Sequence, residues 1–249
     1  MKLKLIKKKE EARGTKSFFF EPEREVIWLP GQYFYYTLSE LKYSDPRGST
    51  RHFTISSSPT EGHLLMLTTR IREESGYKKT LDELAIGTEI EGEGPNGTFI
   101  LDENLPAQAG TQGNHVLIAG GIGITPFRSF IKYNTDKKLT DVKLHLIYSN
   151  SVPEEIAFRE ELEGWAKNFA NIKVDMTITK PEESNGKWTG LTGRIDENMI
   201  RSLITNHQSL ANNSFWLCGP PPMVDAMEKV LGSLKITSVK VTSEKFTGY

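Results

Sequence analysis

The chain has one cysteine in 249 residues, Cys218, and only five histidines. A lone thiol excludes an intrachain disulfide framework and a Cys-x-x-Cys zinc site. It also excludes an iron–sulfur cluster held within the chain, which needs about four thiolates. His52, His63, His115, His145 and His207 are scattered, with no His-Glu-x-x-His pair and no Gly-x-Ser-x-Gly elbow beside them. No metal site is expected, and satisfied structural roles suit His115 and His145. Long apolar runs are missing too: none nears the roughly 20 residues that span a bilayer, so no membrane span is expected. The basic start from Met1 to Lys9 lacks the apolar stretch of a secretory signal, which points to a cytoplasmic location. Charge of one sign is not in excess. Lys+Arg 31 against Asp+Glu 32 leaves a net charge of -1, which argues against nucleic acid as a partner.

What is present is enough for a core: 37% hydrophobic and 25% charged residues, in a length that suits one large domain or two ordinary ones. The first hundred residues read as short strands and turns. Leu3 and Leu5 alternate with lysines, and β-branched or aromatic runs follow at 17–20, 25–29, 33–38, 51–57, 64–71, 89–93 and 98–101. Pro22 and Pro30-Gly31 punctuate them, a pattern that predicts an antiparallel β-barrel with one helical insert at 80–84. The lysines at 2, 4, 7, 8 and 9 suit a solvated strand edge, or less directly a docking patch for an acidic carrier.

Residues 102–113, polar and rich in Gly, Pro and Gln, read as a linker. The spacing beyond them predicts strands at 116–119, 142–149, 172–179, 215–218 and 236–241. Helices are predicted at 126–133, 154–169, 196–203 and 223–234. Such βαβ alternation predicts an open, mostly parallel α/β sheet, so the chain divides into a barrel at 1–104 and an α/β domain at 114–249.

Four motifs carry chemistry. In Ala119-Gly-Gly-Ile-Gly-Ile-Thr-Pro126 a buried strand runs into Gly120, Gly121 and Gly123, and Pro126 falls in the first helical turn. Glycines admit a phosphate to the backbone, and the helix start offers unpaired N–H groups. A tight strand–helix turn without a ligand has the same pattern. In Cys218-Gly-Pro-Pro-Pro222 a strand ends where ligands of open α/β sheets bind, although Cys218 also suits a small buried position. Arg51-His-Phe-Thr-Ile-Ser-Ser57 ends a barrel strand with an Arg, a ring and hydroxyls, which suits a phosphate and a planar group, or an ordinary edge strand. Gly76-Tyr-Lys-Lys-Thr80 suits a pyrophosphate at a helix start, or a plain Thr N-cap.

Taken in order, Arg-x-aromatic-Thr-x-x-Ser, Gly-x-x-x-Thr, Gly-Gly-x-Gly-x-x-Pro and Cys-Gly-Pro-Pro resemble the ferredoxin–NADP reductase family over nearly the whole chain, without an iron–sulfur domain. The resemblance implies a flavin-binding barrel and a nicotinamide-binding α/β domain. FAD is the expected flavin, with FMN the alternative, and NADH or NADPH the expected substrate. It implies Arg51 on a flavin phosphate, Phe53 stacked on the isoalloxazine, and Thr54 near its N5, with Ser57 beside them. Gly76, Tyr77, Lys78, Lys79 and Thr80 would line the pyrophosphate. Gly120, Gly121, Gly123, Thr125 and Pro126 would meet the dinucleotide, and Cys218, Gly219 and Pro220 its nicotinamide end. Phe246 or Tyr249 would cover the flavin, and Glu244 would relay a proton. Thr54, Cys218 and Glu244 are thus the expected catalytic residues. Phe53 stands where the family usually has Tyr, and Thr54 where Ser is commoner. The implied activity is hydride transfer from NAD(P)H to FAD, then electron delivery to a carrier such as ferredoxin, flavodoxin or an oxygenase component. A flavin, ferric or quinone reductase with a small-molecule acceptor is the alternative, as is a non-catalytic flavin-binding subunit. The loop 150–155 has two acids and no base, which favours NADH unless Lys180 or Arg194 reaches the ribose.

Overall fold

Leu3 and Leu5 point inward on the first strand and are fully buried, while Lys2 and Lys4 face solvent, as the period-two pattern demands. That strand, β1 (Lys2–Ala12), forms a sheet with β2 (Thr15–Pro22), β3 (Tyr33–Thr37), β4 (Thr50–Thr54), β5 (Leu65–Arg70) and β6 (Glu89–Asn96). The computed structural model describes residues 1–101, 113–186, 188–204 and 210–247. The order is β4-β3-β6-β1-β2-β5, antiparallel at each pairing, and a bridge between Ile55 and Leu67 joins the two outer strands into a barrel. Phe18, Phe20, Phe34, Tyr36, Leu65 and Leu67 fill it.

The second sheet is parallel: β7 (Gly113–Gly120), β8 (Val142–Asn150), β9 (Ile172–Ile178), β10 (Leu191–Thr192), β11 (Asn213–Gly219) and β12 (Val241–Lys245) in the order β10-β9-β8-β7-β11-β12. Helices α2 (Thr125–Lys137), α3 (Arg159–Asn168), α4 (Glu197–Ile204) and α5 (Pro221–Ser233) supply its apolar cover, and α1 (Gly76–Glu83) belongs to the barrel. Among the described residues no helix is long and apolar enough to cross a membrane.

Several expectations need correction. Residues 25–29 are not a strand. Val26 and Trp28 are buried and Ile27 is 83% exposed, so the alternation records a loop lying on the barrel. Residues 98–101 are not a strand either: Phe99 and Leu101 leave the barrel and join the α/β core, where Phe99 meets Phe127, Phe130 and Trp216 at 5.3–5.9 Å. The barrel helix begins at Gly76, not residue 80, because Ser75 accepts from the Lys78 N–H as its N-cap. Helix α3 begins at Arg159, after a 3-10 turn at Pro153–Glu155. The last strand is Val241–Lys245, not 236–241, and the two-residue β10 makes a sixth strand where five were expected. The lysines at 2 and 4 are not on an edge, since β1 pairs there with both β2 and β6. Of the linker expected at 102–113, residues 102–112 lie outside the described residues, and Gly113 already begins β7 by pairing with Val142.

Candidate active site

Parallel strands leave their C-terminal ends on one side of the sheet, and the turns there define the first half of the site. At the end of β7 the chain enters a 3-10 turn, Gly121–Ile124, directly ahead of α2. Gly121 has φ +51 and open space where a side chain would stand, so its backbone is free to be approached. Gly120 and Gly121 line a cleft of about 390 Å³ with Ser149, Arg194, Pro220 and Met223. Pro126 sits in the first turn of α2, and the Thr125 hydroxyl is turned back onto the Ile122 carbonyl at 3.2 Å.

The second half comes from the barrel. Arg51 donates to Asp45 Oδ1 at 2.5 Å and to the carbonyls of Arg47, Gly48 and Thr50 at 2.7–3.0 Å, with its guanidinium 5.2 Å from the Tyr77 ring. Asp45 also accepts from the Tyr77 N–H and the Ser75 hydroxyl, tying the β3–β4 turn to the start of α1. Burial alone would raise its carboxyl, but these donors and Arg51 hold it below the usual range. Lys78 is buried, and desolvation together with Arg72, Arg47, Arg51 and Arg70 pushes its pKa down to about 7. Cations gathered this closely suit a doubly charged pyrophosphate, which offsets their mutual repulsion. Arg47, Arg51, His52, Phe53 and Lys78 share a narrow cleft with Phe246. Phe53 turns most of its ring inward, 6.0–6.1 Å from Tyr77 and Tyr36.

Not every expected group is disposed toward a ligand. The Thr80 hydroxyl is inside α1, donating to the Gly76 carbonyl at 2.8 Å and accepting from Lys42 N–H. Tyr77 is buried, with its hydroxyl on the Tyr36 carbonyl. Gly76 makes room for the Tyr43 and Ser44 carbonyls. Lys79 pairs with Glu73 and lies over Tyr43. Ser57 spends its hydroxyl inside the barrel, donating to Leu64 O and accepting from Met66 N–H. For this segment the cationic cleft and the helix start remain as the cofactor features. Tyr249 lies outside the described residues.

At the junction of the domains stand Cys218 and Glu244 of the sheet, with Tyr33 and its strand partner Thr54 on the barrel side. Thr54 is buried at the end of β4 and its Oγ1 has no hydrogen-bond partner among the described residues. Cys218 is fully buried at the end of β11, and register places it beside Glu244 on β12. Burial pushes the thiol well above its ordinary value, and Glu244 adds to the shift. Glu244 is felt by Tyr33 of the barrel as well, which pairs with Thr54 across β3 and β4. Desolvation raises Glu244 to about 7, and its Oε2 is buried with no hydrogen-bond partner among the described residues. The Phe246 N–H donates to Gly219 O at 2.9 Å, which brings the tail over this junction. A buried, orphaned hydroxyl beside a cationic cleft fits a flavin whose ring needs a donor or acceptor there and whose tail is anionic.

Glu244 is neutral in the fold below about 7 but ionises from 4.5 when unfolded. The native state therefore binds more protons, and this group's contribution to stability falls as pH rises through that window. Glu244→Gln is expected to flatten the decline in thermal unfolding midpoint between those pH values, and an unchanged slope would assign the decline elsewhere.

Sequence reading missed Arg70 and Arg13. Both reach Glu155 of the α/β domain, and Arg70 and Glu155 line the cleft beside the glycine turn. Arg70 ends a barrel strand, so nothing in its local pattern signals a cross-domain partner. His115 accepts from Trp216 Nε1 at 3.1 Å and is pushed down to about 4 by burial, and His145 pairs with Asp175 at 2.6 Å; neither lies at this cleft.

An antiparallel barrel with a cationic cleft, docked on a parallel sheet with a glycine turn, defines a two-domain dinucleotide-dependent flavoprotein. Family models agree: the oxidoreductase FAD-binding domain matches residues 2–100 and the oxidoreductase NAD-binding domain residues 117–229. The chain is 30% identical over 228 residues to NADH-cytochrome b5 reductase 1 of Aspergillus oryzae, covering 88% of this chain and 73% of that one. It is 26% identical over 235 residues to the glycine betaine monooxygenase reductase subunit of Chromohalobacter salexigens, covering 93% and 60%. The cytochrome b5 reductase domain of Ulva prolifera nitrate reductase superposes with a TM-score of 0.80 at 21% identity, covering 98% and 96%. The chain belongs to the ferredoxin reductase-like family of FAD-dependent NAD(P)H oxidoreductases.

Proposed function

We propose that this protein takes reducing equivalents from NADH and passes them to a one-electron protein carrier, such as a ferredoxin, a flavodoxin, an oxygenase component or a haem protein. The approach of Glu244, which lies beside Cys218, to Tyr33 of the barrel, whose strand partner is Thr54, carries this reading. When bound, FAD supplies the hydride acceptor and the means of releasing electrons singly. Arg51 and Lys78 would hold its pyrophosphate side, Phe246 and the edge of Phe53 at the cleft would line its ring, and Thr54 would offer it a hydroxyl. Gly121 and the start of α2 receive the dinucleotide phosphates, while Cys218 and Gly219 shape the nicotinamide end. Glu244, raised to about 7, holds a proton at this junction near neutral pH.

Anaerobic addition of NADH to the yellow protein is expected to bleach its visible absorbance, and turnover should need a protein carrier. Equal turnover with free flavin, ferric chelate or quinone alone would favour a small-molecule reductase instead. NADH is expected to exceed NADPH in kcat/KM, because the loop 150–155 brings an acid and no base to the cleft, and that acid, Glu155, engages Arg70 and so keeps that cation from a 2′-phosphate. Lys180 pairs with Glu183, which leaves Arg194 and Arg70 as the cations lining the cleft, with Arg70 held by Glu155. A tenfold or larger advantage for NADPH that shrinks with salt would reverse the assignment and point to Arg194.

A further inference from the structure

Arg128 stands three positions after Thr125 on α2 and is 5% exposed. Its guanidinium makes hydrogen bonds in two directions. Toward the barrel, Nη1 donates to Ser56 O at 3.0 Å and Glu61 Oε2 at 2.7 Å, and Nη2 to Glu61 Oε1 at 2.9 Å. Toward its own domain, Nε donates to Glu161 Oε2 at 2.9 Å and Nη2 to Glu161 Oε1 at 3.3 Å. The rings of Phe158 and Trp165 lie 5.3 and 5.8 Å from it. Burial would lower its pKa, but the two carboxylates outweigh burial and raise it, so the group stays charged. The next residue continues the contact: Ser129 Oγ donates to Ser57 O at 2.9 Å.

A buried ion pair is a poor means of gluing domains, since an apolar contact of the same volume avoids the desolvation cost. A planar five-donor fork does supply direction. Here it donates to the backbone carbonyl two residues beyond Thr54, from a helix that directly follows the glycine turn at Gly121–Ile124. We infer that Arg128 is a positioning residue for hydride transfer. Through Glu61 and the Ser56 carbonyl it sets Thr54, and the ring Thr54 faces, against the 121–125 turn. The inference rests on the reading of the junction given under Proposed function. Arg128 lines neither the glycine-turn cleft nor the cationic cleft; its effect is on the approach of the reacting atoms, which tolerates little error.

The two carboxylates separate this role from plain stabilisation. Glu61→Gln weakens the arm between domains, and glutamine retains an acceptor for the Ser58 N–H that Glu61 caps. Glu161→Gln weakens only the arm within the α/β domain. FAD-loaded full-length proteins are mixed anaerobically with NADH, and the limiting rate of flavin reduction, the half-saturating NADH concentration, flavin content and unfolding midpoint are recorded. Glu61→Gln and Arg128→Lys are expected to lower the limiting rate by about tenfold or more, with half-saturation changed less than about twofold and flavin retained. Glu161→Gln is expected to lower the midpoint while its limiting rate stays within about twofold of the parent. Equal slowing by both Gln variants, or slowing by neither, overturns the inference. If the parent protein is not reduced by NADH, the functional reading falls and the inference with it.

Discussion

Arg51→Ala is expected to release flavin from a protein that otherwise copurifies with it. A hydrogen bond to a charged group is worth about 1.5–3 kcal/mol, or roughly ten- to a hundredfold in affinity. The loss should be at the upper end, because Arg51 also neutralises Asp45, whose side chain is only 4% exposed beside the start of α1. Without Arg51 that carboxylate is left without its counter-charge behind the cleft and would repel flavin phosphates bound there. Adding Asp45→Asn to the Arg51→Ala protein should therefore recover part of the affinity. The measurement is flavin content after extensive dilution, with FAD titrated back by fluorescence quenching. Full occupancy of the Arg51→Ala protein at low concentration would show that Arg51 is not a phosphate ligand.

Gly123→Ala is expected to cost both stability and hydride transfer. A Cβ at this position would lie 2.2 Å from the Cys218 carbonyl oxygen and 2.5 Å from its carbon. These are backbone atoms of a central strand and cannot swing aside, so the turn and the end of β11 must separate. Forcing a methyl into a packed interior costs about 1–3 kcal/mol. The same separation moves the Cys218 side of the junction away from the dinucleotide turn, where an error near 1 Å costs on the order of a hundredfold in rate. Flavin content should not change, since the barrel is untouched. A lowered unfolding midpoint with slow anaerobic flavin reduction is the expected pair of results. Wild-type reduction kinetics would show that the close approach of Gly123 to Cys218 does not set the reaction geometry.

Much of this was legible in the chain because period-two and period-3.6 patterns record which face of an element is buried. Leu3 and Leu5 marked a barrel strand, and Gly120 to Pro126 marked a strand running into a helix. The same reasoning failed where burial came from the other domain. Phe99 and Leu101 have the alternation of a strand, yet they are buried against α2 and Trp216. Val26 and Trp28 alternate because a loop lies on the barrel, and Trp28 reaches the Ser57 carbonyl. Thr80 reads as a cap or a ligand, but its hydroxyl bonds within its own helix once Ser75 starts that helix one turn earlier.

The sequence by itself determined the order of the two domains, the glycine turn, the lone thiol at a strand end and the cationic segment of the barrel, since each is written in consecutive residues. Only the tertiary structure decided which charges meet. Arg70 and Arg13 find Glu155, Arg128 finds Glu61, and Glu244 comes to lie beside Cys218 and within reach of Tyr33. The physical reason is that local patterns report burial and backbone preference over a few residues. A charge's partner and its desolvation depend on which distant segments pack around it, and that is set when the barrel and the sheet close on each other.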